Sequence, residues 1–64
     1  MKLTENEIKE LVELNKQMGV SIGMIELGIQ VKLHAEKYAE AFRRTGEILS
    51  KNFPEFAKED TVNY

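Results

Sequence analysis

The sequence predicts an all-α fold: a helical hairpin, or one long bent helix, completed by homo-oligomerisation. Three observations predict it. A capping box opens the first of two amphipathic segments, apolar residues recur at helical spacing through both segments, and the chain has only 64 residues. A chain of about 60 residues buries only about 60% of its unfolded surface. Because the chain has no cysteine to form disulfides, association between copies is the remaining source of stability.

Helix one is predicted over about 4–28. Thr4 and Glu7 have the spacing of a capping box, in which each side chain accepts a hydrogen bond from the backbone amide of the other residue. Apolar residues then occupy one face, at Ile8, Leu11, Val12, Met18, Ile22, Ile25 and Ile29, and a second face, at Leu14, Val20, Met24, Leu27 and Val31. A helix that is apolar on two sides has more to bury than one neighbouring helix can cover.

Glycine is the second feature of this helix. Gly19, Gly23 and Gly28 each cost roughly 1 kcal/mol relative to alanine inside a helix. Gly19 and Gly23 lie four residues apart on one face and predict a groove where another helix, or a ligand, approaches the backbone closely. The alternative is a kink or a helix end near Gly28.

The segment 25–33 also has the alternation of a strand, since every odd position is apolar. A lone strand would need a partner from another chain, because nothing else in the sequence resembles a strand. We therefore expect helix here as well, with Gly28 as the point where the chain path is least determined by the pattern.

Helix two is predicted over about 34–53 and ends at Pro54, and the acidic tail 54–64 either packs back or stays loose. Its apolar face is formed by Tyr38, Ala41, Phe42, Thr45, Ile48, Leu49 and Phe53, and its charged face by Lys37, Glu40, Arg43, Glu47 and Lys51. We expect residues 1–64 to form one small helical domain.

Composition excludes several functions. A net charge of −2 argues against a protein that neutralises the phosphates of duplex nucleic acid. No apolar run reaches the roughly 20 residues of a membrane span, and no signal peptide is apparent, so the sequence predicts a cytoplasmic protein. His34 is the sole histidine, and neither Ser21 nor Ser50 has a base nearby in the sequence. We therefore expect no metal site, no cofactor and no catalysis.

The best candidate for binding an anion is the Arg43-Arg44 dipeptide. A guanidinium group matches a phosphate with two parallel hydrogen bonds, and the Thr45 hydroxyl beside Arg44 can add a third donor. The alternative is that both arginines pair with Glu40 and Glu47 one helical turn away.

Lys16 has the same ambiguity. It can face the groove that Gly19 opens, or it can pair with Glu13 on its own helix.

Both helices carry residues that resemble one family. The pattern of helix one, Glu7-Ile8, Asn15-Lys16, Gly19 and Gly23, resembles the opening helix of the small phage anti-CBASS cyclic-nucleotide sponge proteins. In helix two, Tyr38, Ala41, Phe42 and Arg44-Thr45 are similar to the segment of that family in which an aromatic residue precedes an alanine-rich turn and an Arg-Thr pair.

This resemblance implies a short, helical, oligomeric phage protein of host immune evasion, which sequesters cyclic oligonucleotides in the host cytoplasm without cleaving them. It places Lys16 and Arg44, with Thr45, on the phosphates of a cyclic nucleotide at a subunit interface, and Tyr38 or Phe42 against a base. The alternative function is a small helical protein-interaction module, or an inhibitor of a host protein, whose apolar faces dock on a partner.

Overall fold

The computed structural model describes residues 3–55, which form an antiparallel hairpin of two helices. Helix α1 spans Glu5–Glu26 and helix α2 spans Val31–Asn52. The described residues contain no strand, so the alternating pattern around Gly28 belongs to a helix end, a turn and a helix start. The predicted all-α hairpin is confirmed. From position 56 onward, the predicted tail lies outside the described residues.

The start of α1 is fixed by the predicted capping box. The Glu7 backbone amide donates to Thr4 Oγ1 at 3.1 Å, and the Thr4 amide donates to Glu7 Oε1 at 3.0 Å. Two backbone donors that the helix itself leaves unpaired are thereby satisfied.

The turn between the helices is a glycine-dependent helix end. The Gly28 amide donates to the carbonyl of Ile25 and the Ile29 amide to that of Met24, which is the pair of hydrogen bonds of a Schellman motif. Gly28 has a φ of 75°, in the left-handed region where a side chain is strained. Gln30 also lies in this region, with φ 44°, and α2 begins at the next residue. Helix α1 therefore ends two residues before the predicted position 28, and α2 begins three residues before position 34.

The two helices face each other along one row of positions on each. On α2, this inward row is His34, Ala41 and Ile48, seven residues apart and all buried. On α1, Ser21 is buried and lies on the row of Glu7 and Leu14, which are half-buried. Ala41 and Ile48 are the only buried apolar residues among positions 3–55, so the hairpin has almost no core of its own.

The open end of the hairpin is closed by a polar cluster around Glu7. Its Oε2 accepts hydrogen bonds from Asn52 Nδ2 at 3.3 Å and from Lys51 Nζ at 3.4 Å. The buried Asn52 amide also donates to the Ile48 carbonyl at 2.9 Å, which fixes its orientation. Hydrogen bonds, chiefly that from the Thr4 amide, lower the pKa of Glu7 to about 2. Glu7 thus caps α1 and joins it to α2.

Candidate functional site

Arg44, the predicted phosphate ligand, is bound to carboxylates of its own chain. Its Nε donates to Glu10 Oε2 at 2.7 Å and its Nη2 to Glu10 Oε1 at 3.1 Å, while Nη1 lies 3.4 Å from Glu47 Oε1. The hydrogen bond with Glu10 raises the pKa of Arg44 and lowers that of Glu10. In a single hairpin the planar donor fork of this arginine is therefore occupied by Glu10.

Arg43 pairs with carboxylates of its own helix, as the alternative interpretation of the arginine pair predicts. It donates to Glu40, and its Nη1 lies 2.5 Å from Glu47 Oε2, so both partners are one turn away on α2. The hydrogen bond from Arg43 lowers the pKa of Glu40. Arg43 and Arg44 differ in one respect that the sequence does not reveal: only Arg44 reaches across to the other helix.

Lys16 lies within reach of an acidic partner and of a groove. Its Nζ is 3.7 Å from Glu13 Oε1, and both side chains are largely exposed. An exposed pair at this distance is weak, so the lysine can exchange partners at little cost. Lys16 also lines a cavity of about 480 Å³ along α1, together with Leu3, Ile8, Leu11, Val12 and Asn15. Arg44 does not line this groove.

The remaining three predicted site residues share one side of α2. Thr45 Oγ1 donates to the Ala41 carbonyl at 2.8 Å, which uses the hydroxyl's only proton inside its own helix. The rings of Tyr38 and Phe42 stack, with centroids 6.2 Å apart and planes inclined by 19°. Phe42 is 63% exposed, so the outer face of this aromatic pair is open to water.

The hairpin has two chemically different sides, which follow from the inward rows. In each helix, residues one position after the inward row lie about 100° around the axis. The two helices run in opposite directions, so that successive residues turn in opposite senses around the two axes when both helices are viewed from one end. The same rotation therefore brings both sets of residues to the same side of the molecule.

We call this the apolar side. Its members are Ile8, Leu11, Val12, Asn15, Gly19, Ile22 and Glu26 on α1 with Val31, Ala35, Tyr38, Phe42, Leu49 and Phe53 on α2, and Glu26, at the turn end, is the one charged residue among them. The opposite side, which we call the charged side, carries the pair formed by Glu10 and Arg44 together with Glu13, Lys37, Glu40, Glu47 and Lys51.

The apolar side is uncovered. Five of its members are large apolar side chains that are 38% to 63% exposed: Ile8, Val12, Ile22, Val31 and Phe42. A Cβ added at Gly19 or at its neighbour Gly23 would meet no heavy atom within 4 Å, so neither glycine is in close contact with α2. In the single hairpin no other helix approaches these glycines, and the close contact predicted at them stays a prediction.

The five predicted site residues are thus not brought together by one chain. Tyr38, Phe42 and Thr45 lie on or beside the apolar side, Lys16 lies at the outer edge of α1, and Arg44 lies on the charged side. Sequence reasoning missed Glu10 as the partner of Arg44. The two residues are 34 positions apart, and only the pairing of the helices brings them into contact.

His34 is buried on the inward row, and its Nδ1 has no hydrogen-bond partner. Among residues 3–55, no group of three or more His, Asp or Glu side chains could hold a metal ion. Neither of the two described helices combines the length and the apolar character that a membrane crossing requires.

Comparison of the chain with protein-family models, with curated proteins and with solved structures finds no match.

Proposed function

We propose that this chain is a non-catalytic interaction module that works through its apolar side, and that its functional form is a homo-oligomer. The observation that carries the proposal is the uncovered apolar side, which runs across both helices with a single charged residue, Glu26, at its turn end. The charged side has the opposite character, since its arginine is already joined to Glu10 within the chain.

The energetics support association. The hairpin buries only two apolar residues, Ala41 and Ile48, whereas nine large apolar side chains among the described residues are at least 38% exposed. Burying apolar surface contributes about 25 cal/mol per Å², and this is the main favourable term available to a chain without disulfides or a metal. A single layer of two helices leaves most of that stabilisation unused.

The area available is close to what a stable interface needs. Two helices of 22 residues are each about 33 Å long and about 10 Å wide, so one side of the hairpin presents roughly 660 Å² before side-chain relief is counted. Standard protein interfaces bury about 800 Å² on each partner. A second hairpin laid on this side would form a four-helix bundle, which is a common solution for helices of this length.

The test is the molar mass in solution, measured by light scattering and by sedimentation at several concentrations. We expect a multiple of the chain mass and a melting temperature that rises with concentration. Phe42→Glu places a charge on the apolar side and should shift the mass toward the monomer.

The matched control is Val20→Glu, because Val20 is 58% exposed but lies off the apolar side. It should leave the mass unchanged. A parent chain that is still monomeric at a concentration of about 100 µM would overturn the proposal.

Sequestration of a cyclic nucleotide is the second candidate function, as for a phage sponge acting in the host cytoplasm. The observation that favours it is the stacked pair of Tyr38 and Phe42, which offers an aromatic surface to a base. In this candidate function Lys16, Arg44 and Thr45 hold the phosphates between subunits, and Arg44 must leave Glu10 to do so.

A panel of cyclic di- and trinucleotides tests this second function. A ligand that binds only the folded chain should raise the melting temperature, and Arg44→Ala should reduce that rise more than Arg43→Ala does. No shift at millimolar ligand would exclude cyclic-nucleotide binding and leave self-association as it stands.

A further inference from the structure

Two hairpins can be laid apolar side to apolar side with twofold symmetry in two ways. If the symmetry axis runs along the helices, both turns lie at the same end and α1 of one copy packs on α2 of the other. If the axis runs across them, the turns lie at opposite ends and each helix packs on its own copy. We propose the first arrangement, and this inference rests on the proposed self-association.

In this dimer each residue keeps the position along the helix axes that it has in the single hairpin, and we call this position its height. The bonds from Glu10 to Arg44 and from Glu7 to Asn52 fix the register of α1 against α2. A rotation about an axis parallel to the helices does not change any residue's height along them. Each residue of α1 therefore lies across the interface from the part of α2 that is already level with it in its own chain.

At the turn end, this register sets small residues against small residues. Both Gly19 and Gly23 have open space at the Cβ position. In the dimer, Gly19 of one copy comes level with Ala39 of the second copy, and Gly23 comes level with Ala35. These glycines and alanines present no side chain larger than a methyl group, and they leave room at the contact for Ile22 and Tyr38 of the apolar side. The glycines then have the packing role that the sequence assigns to them, which α2 of their own chain does not supply.

Toward the open end, the same register sets large residues against large ones. Ile8 of one copy comes level with Leu49 of the other, and Val12 comes level with Phe42. These side chains are exposed or half-buried in the single hairpin, and in the dimer they would form the core that the hairpin lacks.

Charge at the turn end of the hairpin also favours turns at the same end. Glu26, the last residue of α1, and Lys32, the second residue of α2, form no ion pair among the described residues within 4 Å. With the turns together, Glu26 of each copy lies near the height of Lys32 of the other, and the interface gains two attractive pairs.

The opposite arrangement lacks this pairing. With the turns at opposite ends, Glu26 and Lys32 of one copy lie at the far end of the dimer from those of the other, so neither residue gains a partner across the interface.

The experiment is a distance measurement between two spin labels. The chain has no cysteine, so Leu27→Cys, at a turn residue that is 73% exposed, carries one nitroxide in each copy. With the turns together, the labels should be less than about 30 Å apart, which is the width of a four-helix bundle with side chains. With the turns at opposite ends, the rise of about 1.5 Å per residue alone separates them by about 35 Å along the axis, and a helix spacing of about 10 Å brings the total to about 36 Å.

The two outcomes separate this inference from the proposed self-association. A long distance in a dimer of confirmed mass overturns the arrangement and leaves the self-association intact, whereas a monomer overturns both. A second measurement is independent of the label: Glu26→Lys and Lys32→Glu should each weaken the dimer, and the double variant should restore it. If the double variant is weaker than either single one, the pair does not form between copies.

Discussion

Arg44 on α2 and Glu10 on α1 are joined by two hydrogen bonds, Nε to Oε2 at 2.7 Å and Nη2 to Oε1 at 3.1 Å. This two-point contact crosses between the helices on the charged side. It holds the register of the hairpin without adding a charged residue to the apolar side, so that the apolar side stays available for association.

We expect Arg44→Lys to weaken the hairpin nearly as much as Arg44→Ala, because an ammonium group cannot form both hydrogen bonds of the guanidinium fork. The measurement is the melting temperature at low and high salt. Arg43→Ala is the control and should have a smaller effect, since its partners lie on its own helix. Exchanging the pair, with Glu10→Arg and Arg44→Glu together, should recover stability that each single reversal loses. Additive losses in the double variant would show that the pair does not couple the helices.

Acid should destabilise the hairpin through Glu7. Its pKa is lowered to about 2 in the folded chain by hydrogen bonds from the Thr4 amide and Asn52. A carboxyl group whose folded pKa is below its unfolded value contributes stability above the unfolded pKa, near 4.5, and loses that contribution as the pH falls toward about 2. The melting temperature should therefore fall between about pH 5 and pH 2.

The control for this acid limb is Glu7→Gln, which keeps the shape of the side chain but cannot titrate. It should melt lower than the parent at pH 7 and show a shallower decline toward pH 2. If the melting temperature of Glu7→Gln falls as steeply with decreasing pH as that of the parent, the titrating carboxylates are other residues. Glu10 would then be the next residue to replace.

Gly28→Ala should destabilise the turn by about 1 kcal/mol, because alanine is strained at the positive φ that closes α1. Gly28→Asn is the matched variant, since asparagine tolerates the left-handed region better than alanine does. We expect the order Gly, Asn, Ala in decreasing melting temperature. If alanine is tolerated as well as asparagine, the turn does not depend on this conformation.

Ser21→Leu should disrupt the hairpin itself, because Ser21 is 1% exposed on the inward row and the larger side chain overpacks the helix contact by about 1 to 3 kcal/mol. Gly23→Leu should leave the helical content of the hairpin unchanged, since a Cβ there has open space within the chain. Its effect should appear in the molar mass instead. Circular dichroism and light scattering on both variants separate the two roles, and loss of helix in Gly23→Leu would contradict this assignment.

Both helices and the start of α1 could be predicted from the sequence. The capping box at Thr4 and Glu7 acts through residues three apart, so its contacts are local and can be seen in the pattern. The pattern left open whether the chain continues as helix, kinks or ends a helix at Gly28, and the ends at the turn were misplaced by two and three residues. The alternative pairing of Arg43 with Glu40 and Glu47 was also predictable, because residues three and four apart meet on any helix.

Which faces of the helices meet depends on their packing and could not be predicted from the pattern. Periodicity shows that α1 is apolar on more than one side, but it does not say which side packs on α2. The structure buries the polar residues Ser21, His34 and Asn52 as well as Ala41 and Ile48, and leaves Phe42 exposed on the apolar side. The partner of Arg44 was undetermined for the same reason, since Glu10 is 34 residues away and reaches it only when the antiparallel register is set. Local patterns specify helices, whereas contacts between distant residues depend on how the helices are rotated and aligned, which is set by the packing of the whole hairpin.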